Sequence, residues 1–346
     1  MLPDEIVAHI EAQDVSASDG EARRILAHAI AEGGSKGRAP RQPVARRLTD
    51  LVHETTNAGR LEVVERVTDA SDGFVKYLLR SPDGALSEAV RIPLKKAGCF
   101  SVCLSTQVGC AMRCAFCATG RLGFSRNLRA WEMVHALMLV RDEAPGRITG
   151  AVFMGQGEPF QNYDAVIRAA AILSNPCGAC IRAENISIST VGLVPFIRRY
   201  TREGHRYRLI VSMTSAIPDR RRALMPAAGE FSVEDLAEAL GEHARRHRDR
   251  VTVAWVVMAG VNTGADEVAA LARLFAGVPL RLNLIDVNDA RPDGFSRASD
   301  DELNAFRDRL QVLGVPIVRR YSGGRERHAA CGMLAAHSKR AAEITR

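Results

Sequence analysis

The sequence predicts an α/β protein: an open, partial TIM-type barrel of about six βα units with a small N-terminal α+β appendage. Two patterns support this prediction. From about residue 129 onward, amphipathic helical segments alternate with short apolar strands, which favours a parallel sheet. Before residue 95 the strands follow one another directly, separated only by turns. A length of 346 residues suits one large α/β domain and a smaller one.

The composition indicates a compartment and a class of partner. No apolar run approaches membrane-spanning length, and the first residues lack the basic and apolar regions of a signal peptide, so we expect a cytoplasmic protein with no membrane partner. A chain of this size does not need its eight cysteines as disulfide staples. The net charge of +7 favours a polyanionic partner such as RNA. We expect a monomer.

The N-terminal part predicts an accessory unit over residues 1–95. Residues 5–32 predict two short helices, broken around residues 16–20. Between Lys36 and Arg47 there are five basic residues and no acidic one. This stretch is either a solvated linker or a phosphate-contacting patch on an RNA-binding appendage. We expect the barrel over 96–320 and a separate C-terminal segment over 321–346.

Alternating apolar residues begin after Arg60 and predict a three-stranded meander. Its turns are expected at Asp72-Gly73 and Asp83-Gly84, because such pairs favour tight turns. Glu88 lies on the third strand, just before a loop rich in cysteine.

That loop has four cysteines in the fifteen residues from Cys103 to Cys117. Three of them, Cys110, Cys114 and Cys117, have the spacing C-x3-C-x2-C. A structural zinc site needs four ligands, usually from two separated pairs. A 4Fe-4S cluster held by three thiolates keeps one iron open to a small molecule. The spacing is that of the radical S-adenosylmethionine (SAM) superfamily, in which methionine binds the open iron and a 5'-deoxyadenosyl radical forms.

Helices and strands alternate after the cysteines. The predicted strands are 150–154, 186–190, 208–213, 251–258, 280–285 and 315–318, and the predicted helices are near 129–143, 162–174, 232–248, 264–276 and 300–312. Two of these helices begin with capping boxes, Ser232 with Asp235 and Ser299 with Glu302. In such a barrel the active site lies at the carboxyl ends of the strands.

Polar residues follow several of these strands. Gly155-Gln-Gly-Glu-Pro159 comes after the first, Ser189 and Ser212 end the next two, and Asn288 follows the fifth. All four groups are expected to face the cysteine loop. The glycines allow close approach of a ligand, and Glu158 is placed to accept a hydrogen bond from the amine of SAM.

These pieces together resemble the radical SAM RNA adenine methyltransferases of the RlmN/Cfr family, from about residue 88 to residue 332. Several short motifs in one order carry the resemblance, namely Glu88 to Pro93, Cys103 to Cys117, Gly123 to Leu128, Met154 to Pro159, Ser189 to Pro195, Leu224 to Pro226, Asn283-Leu-Ile, and Ala330-Cys331-Gly332.

The resemblance implies a mechanism with two cysteines. Cys331 takes a methyl group from one SAM, and a radical made from a second SAM removes hydrogen from that methyl. The resulting carbon radical adds to C2 of an adenine, or alternatively to C8, and tethers the RNA to Cys331. Cys103 then attacks the sulfur of Cys331 and releases the product as a disulfide forms. Glu88 matches the family's proton acceptor.

The resemblance also implies a cofactor and partner set: a 4Fe-4S cluster, two SAM per turnover, ribosomal or transfer RNA as substrate, and a reductase or flavodoxin-type electron donor. The residues carried over to the cluster are Cys110, Cys114 and Cys117, and those carried over to SAM are Gly157, Glu158, Ser189, Ser212, Met213, Thr214 and Asn288. Two departures lie beside the SAM site. The chain has Ser212-Met-Thr214 where the family has Ser-Leu-His, and Asp286-Val-Asn288 where it has Pro-Trp-Asn.

Two alternatives stay open at this point. One keeps the radical chemistry on another substrate, and the other is a non-enzymatic RNA-binding protein with zinc in the cysteine loop. A free cysteine such as Cys331 is otherwise often a small buried hydrophobe. Cys99 and the pair Cys177 and Cys180 have no partner motif and are interpreted as incidental. His243 and His247 are expected on a solvated helix face.

Overall fold

The computed structural model describes residues 1–32, 45–56, 59–69, 71–288 and 294–320. Cys331, the predicted C-terminal segment and most of the predicted basic stretch lie outside the described residues, so the predictions made for them stay predictions. Within the described part no helix is long and apolar enough to cross a membrane.

The described helices are α1 (Pro3–Glu11), α2 (Asp19–Glu32), α3 (Arg46–Thr55), α4 (Ala118–Arg121), α5 (Ala130–Glu143), α6 (Tyr163–Ser174), α7 (Val194–Glu203), α8 (Pro218–Leu224), α9 (Val233–His247), α10 (Ala265–Leu274) and α11 (Asp300–Leu310). The two N-terminal helices and all five barrel helices predicted from the sequence are confirmed. The serine N-caps of the two predicted capping boxes are confirmed as well, since Ser232 and Ser299 each accept a hydrogen bond from the amide three residues on.

The strands are β1 (Glu62–Thr68), β2 (Val75–Arg80), β3 (Leu86–Pro93), β4 (Cys99–Leu104), β5 (Gln107–Gly109), β6 (Phe124–Asn127), β7 (Arg147–Phe153), β8 (Ile186–Thr190), β9 (Arg208–Ser212), β10 (Val251–Val257), β11 (Leu280–Asp286) and β12 (Ile317–Arg320). Ten of them form one sheet in the order β1-β2-β3-β4-β7-β8-β9-β10-β11-β12, while β5 and β6 form a separate two-stranded antiparallel sheet.

The sheet has an antiparallel part and a parallel part. The predicted meander β1 to β3 is antiparallel and continues into β4, whereas every pairing from β4 to β12 is parallel. In the described part β1 and β12 each have a single neighbour, so the barrel is open. This confirms the predicted α/β fold. The meander is hydrogen-bonded to the barrel and extends its sheet.

The two faces of the sheet are buried differently. Alternate residues such as Val102, Phe153, Ile188 and Trp255 pack against the helices in the main hydrophobic core, which also includes α1 and α2. Their neighbours in the strands point to the concave face. Two small apolar clusters lie on that face: Val90, Cys103 and Val152 with Phe74, and Ile210, Ala254 and Ile285 beside Met154. The concave face is therefore free to carry a site.

Candidate active site

A pocket lies at the carboxyl ends of the parallel strands, where the cysteine loop covers them. Its walls are formed by residues from the cysteine loop and α4, from five strand ends and from the segment after α8, namely Cys110, Met112, Cys114, Phe116, Cys117, Thr119, Met154, Gly155, Gly157, Glu158, Ser189, Thr190, Val191, Ser212, Met225, Val256, Ile285, Asp286 and Asn288. The three cysteines and the polar groups of four strand ends, expected to meet, line the same cavity. The predicted grouping is confirmed.

Backbone hydrogen bonds fix the cysteine loop. The amide of Cys110 donates to the carbonyl of Gly123 at 2.7 Å, and the amide of Ala115 donates to the carbonyl of Leu224 at 2.9 Å. Cys110 and Cys114 are buried, and Cys117 is partly buried. Burial raises the pKa of Cys110 to about 12 and that of Cys114 well above its ordinary value. Without a metal these two thiols stay protonated at neutral pH.

The chemistry of this donor set fits an iron-sulfur cluster. A metal removes the proton from a thiol that binds it, so burial of these sulfurs favours a metal over free thiolates. Within the described ranges no three His, Cys, Asp or Glu side chains converge on a single ion. A 4Fe-4S cluster does not require that convergence, because each cysteine binds a different iron. All seven described cysteines are free, so no disulfide is formed among them.

The loop that follows β7 is folded closely against the segment after β4. Gly157 has a φ of +97°, and a Cβ there would lie 2.8 Å from the backbone nitrogen of Gln107. Only glycine is compatible with both conditions. The side-chain oxygen of Gln107 accepts the amide of Glu158 at 2.9 Å, and the amide of Gly155 donates to Leu104 at 3.0 Å. The backbone at Gly155 and Gly157 thereby forms part of the pocket wall.

Glu158 is a buried carboxyl at the wall of the pocket, with 2% of its surface exposed. One oxygen accepts the amide of Phe160 at 2.9 Å, and the other accepts the amide of Val191 at 2.8 Å. Burial outweighs these hydrogen bonds and raises the pKa of Glu158 to about 7. The side chain of Thr190 also hydrogen-bonds this carboxyl, which leaves about one of its four acceptor positions for a donor in the pocket.

The other residues predicted to contact SAM divide into two groups. Ser189, Ser212 and Asn288 line the pocket. Met213 and Thr214 do not: both are fully buried, and Met213 packs in the helix-facing core. Alternation is the reason for Met213, since a strand that turns Ser212 to the pocket turns the next side chain away. Thr214 lies beyond the end of β9 and has a φ of +62°, so the alternation of the strand does not extend to it. SAM contacts by Met213 and Thr214 therefore stay predictions.

Glu88 and Cys103 lie on the concave face but outside the pocket wall. Cys103 is buried and pairs with Val90, two residues from Glu88. The Glu88 carboxylate lies 3.4 Å from Nζ of Lys76 and accepts a 3.2 Å hydrogen bond from the side chain of Gln156. Both charged side chains are at most 2% exposed. Lys76 was not predicted from the sequence, although a lysine within an apolar strand is a signal of a buried charge.

Arg221 on α8 is a second residue beside the site that was not predicted from the sequence. Its guanidinium donates to the carbonyl of Val191 at 2.6 Å and to that of Ser212 at 3.3 Å, and it also binds the carbonyl of Met213. It therefore joins the carboxyl ends of β8 and β9 beside the pocket. The run Arg220 to Arg222 gave no sign of which arginine is buried.

Several residues predicted to have no role lie away from the pocket. Cys177 and Cys180 are in the turn after α6, and Cys99 begins β4. The predicted solvated position is wrong for His243, which is 7% exposed and whose Nδ1 lies 2.9 Å from the hydroxyl of Thr201. The physical reason is that α9 turns this face toward α7, and the ring of His243 stacks on that of His247.

Comparison with known proteins agrees with this geometry. Residues 104–275 match the radical SAM superfamily. The chain is 53% identical over 322 residues to a probable RNA methyltransferase of Anaeromyxobacter sp. (strain Fw109-5), covering 92% of this chain and 94% of that one. It is 39% identical to a probable dual-specificity RNA methyltransferase RlmN of Heliobacterium modesticaldum, covering 80% and 74%. A crystal structure of a radical SAM methyltransferase from Sphaerobacter thermophilus superimposes with a TM-score of 0.86 at 34% identity, covering 97% and 98%.

Proposed function

This chain belongs to the RlmN-type radical SAM RNA methyltransferases, and from that premise we propose that it methylates an adenine base in RNA. The favoured position is C2, with C8 as the alternative, and the substrate is ribosomal RNA, transfer RNA or both. The observation that carries the proposal is the shared pocket of three cluster cysteines and polar strand ends.

Cys110, Cys114 and Cys117 would hold a 4Fe-4S cluster, and the Gly155 to Glu158 loop, Ser189, Ser212 and Asn288 would hold SAM. When bound, these cofactors supply the 5'-deoxyadenosyl radical that removes hydrogen from a methyl group. The position of Glu158 at the pocket wall supports a role as acceptor for the SAM amine, and the glycine backbone leaves room for the ligand.

Cys331 would carry the methyl group to the base, and Cys103 would later attack its sulfur and release the product as a disulfide forms. Glu88 would accept the proton that leaves the adenine ring. Its position supports this role, because Glu88 is buried on β3, the strand paired with the one that carries Cys103.

An RNA substrate is supported by the charge of the chain and by exposed arginines near the cysteine loop. The net charge is +7. Arg113 within the loop and Arg121 just after it are both exposed, as is the aromatic ring of Phe124. Basic groups contact phosphate, and an exposed aromatic ring offers a stacking surface for an unpaired base.

A comparison of modified nucleosides tests the proposal directly. RNA from a strain without this gene should lack one methyladenosine that the parent contains, and purified protein with SAM and a reductant should restore it. An unchanged nucleoside profile in both ribosomal and transfer RNA would contradict RNA methylation. Iron and sulfide analysis of anaerobically purified protein separately tests the cluster, since zinc without sulfide would support a non-enzymatic metal-binding protein.

The methyl-carrying cysteine has its own test. Cys331→Ala should retain iron and sulfide but lose all detectable methyl transfer. Cys99→Ala, which removes a cysteine given no role, is the matched control and should stay active. A Cys331→Ala protein as active as the control would remove Cys331 from the mechanism.

A further inference from the structure

Arg221 is a buried cation that has no carboxylate partner among the described residues. Its side chain is 1% exposed, and no carboxylate of a described residue lies within ion-pair distance of it. Backbone carbonyls accept its Nη hydrogens, and its Nε has no acceptor among the described residues. Carbonyl dipoles compensate only part of a buried charge, so such a group normally has a counter-charge nearby.

The cysteine loop is the part of the molecule that can supply that counter-charge. Leu224, three residues after Arg221, accepts the amide of Ala115, which follows Cys114. Nη1 of Arg221 lies 3.8 Å from the sulfur of Met225, and Met225 shares the pocket wall with all three cluster cysteines. Arg221 and Cys114 are also close enough to interact electrostatically.

The charge of Arg221 is permanent at neutral pH. Burial lowers the pKa of Arg221 to about 10, which leaves the guanidinium protonated. An iron-sulfur core carries less positive charge than its thiolates carry negative charge, and reduction adds one more negative charge. In an interior that screens charge weakly, a fixed cation therefore stabilises the reduced form more than the oxidised form.

We propose that Arg221 is the buried counter-charge of the iron-sulfur cluster and raises its reduction potential, as a positioning residue that touches neither substrate nor SAM. This inference rests on the proposed function, because it requires a cluster on Cys110, Cys114 and Cys117. It assigns two roles to one side chain: the charge acts on the cluster, and the hydrogen bonds hold the ends of β8 and β9.

Three variants separate these roles. Arg221→Met removes the charge, Arg221→Lys keeps the charge but loses the forked donor geometry, and Arg222→Met removes a neighbouring charge on the same helix. Arg222 is a suitable control, since its side chain is 62% exposed and pairs with Asp219. Each protein is reconstituted anaerobically, and iron and sulfide are measured before any other comparison.

The first readout is the midpoint potential, followed by electron paramagnetic resonance during reductive titration. We expect a more negative potential in Arg221→Met and the wild-type value in Arg221→Lys and Arg222→Met. An equal shift in Arg221→Lys and Arg221→Met would overturn the proposal, because hydrogen bonding rather than charge would then be responsible. An unshifted potential in Arg221→Met would overturn it as well.

The second readout does not need a reduced cluster and covers a variant that folds poorly. Loading the cluster should raise the unfolding temperature of wild type and of Arg221→Lys by a larger interval than that of Arg221→Met. If Arg221→Met is insoluble, Arg221→Gln replaces it. Equal intervals in all proteins would contradict coupling between charge and cluster. Wild-type protein that binds no iron and sulfide would instead refute the proposed function.

Discussion

The two faces of the large sheet differ in composition, although the same strands build both. On β8, Ile186 and Ile188 face the helices and are fully buried in the main core, whereas Ser189 lines the pocket. On β9, Val211 faces the helices and Ser212 lines the pocket. A period of two thus lets one strand contribute to the core and to the site at once.

The antiparallel strands repeat this division more sharply. Tyr77 and Leu79 on β2 pack in the main core. Lys76, on the same strand, faces the concave side and carries a buried charge. Buried ion pairs contribute little to stability compared with apolar residues of similar size. From this difference we infer that the helix-facing side supplies most of the stability of the fold. The concave side carries polar and charged side chains that contribute little to stability.

The largest expected effect is a difference in stability loss between two consecutive residues of β7, one on each face of the sheet. Phe153 faces the helices and is fully buried, while Val152 is on the concave face. Phe153→Ala should lower the free energy of unfolding by about 3–5 kcal/mol, because it leaves a cavity in a packed core. Val152→Ala should lower it by about 1–2 kcal/mol, the value for losing two buried methyl groups.

Urea unfolding followed by circular dichroism measures both losses, with the dependence on urea concentration compared to detect changes in the unfolded state. Equal losses at the two positions would contradict the division of the sheet into a stabilising and a functional face.

The next effect concerns a titrating group on the helix side. Burial lowers the pKa of His243 to about 4, compared with 6.5 for an exposed histidine. Between these values the unfolded chain binds a proton that the folded chain does not, so stability falls as the pH falls. The loss between pH 7 and pH 5 should be about 2 kcal/mol. His247, beside it, has its pKa lowered in the same direction by burial and by Arg246.

Unfolding of wild type and His243→Gln at both pH values measures this contribution, because the variant keeps every other titrating group. The pH dependence should be weaker in the variant. A variant as sensitive to acid as wild type would show that His243 is not the group responsible.

The sequence predicted the parts of the molecule that depend on local pattern. The βα alternation, the two serine N-caps and the cysteine spacing are each contained in a few neighbouring residues. Strand ends could be grouped because parallel strands present their carboxyl ends to one edge. The helix α7 was missed because its first turn, Val194-Pro195, follows the strand β8 after only a short connection and interrupts the pattern.

Contacts between distant elements could not be predicted in the same way. Lys76 and Glu88 meet only because β2 and β3 are paired in a register that places Leu78 opposite Glu88. Arg221 is buried because α8 packs beneath two strand ends, and nothing in the Arg220-Arg221-Arg222 run distinguishes the middle residue. Burial of a charged side chain depends on the tertiary arrangement, which a single sequence does not encode as a pattern.

The smallest expected effect concerns the pocket side, where acid should weaken binding rather than stability. Burial raises the pKa of Glu158 to about 7, so its carboxyl loses its proton as the pH rises through that value. If Glu158 accepts a hydrogen bond from the SAM amine, only the ionised form binds well. The affinity for SAM should then rise about tenfold from pH 6 to pH 8 through this group.

Equilibrium dialysis with labelled SAM measures this affinity at both pH values. SAM's own amine titrates identically with every variant, so the difference between wild type and Glu158→Gln isolates the carboxyl. Parallel pH profiles for the two proteins would mean that Glu158 stabilises its loop through Phe160 and Val191 and does not contact the cofactor.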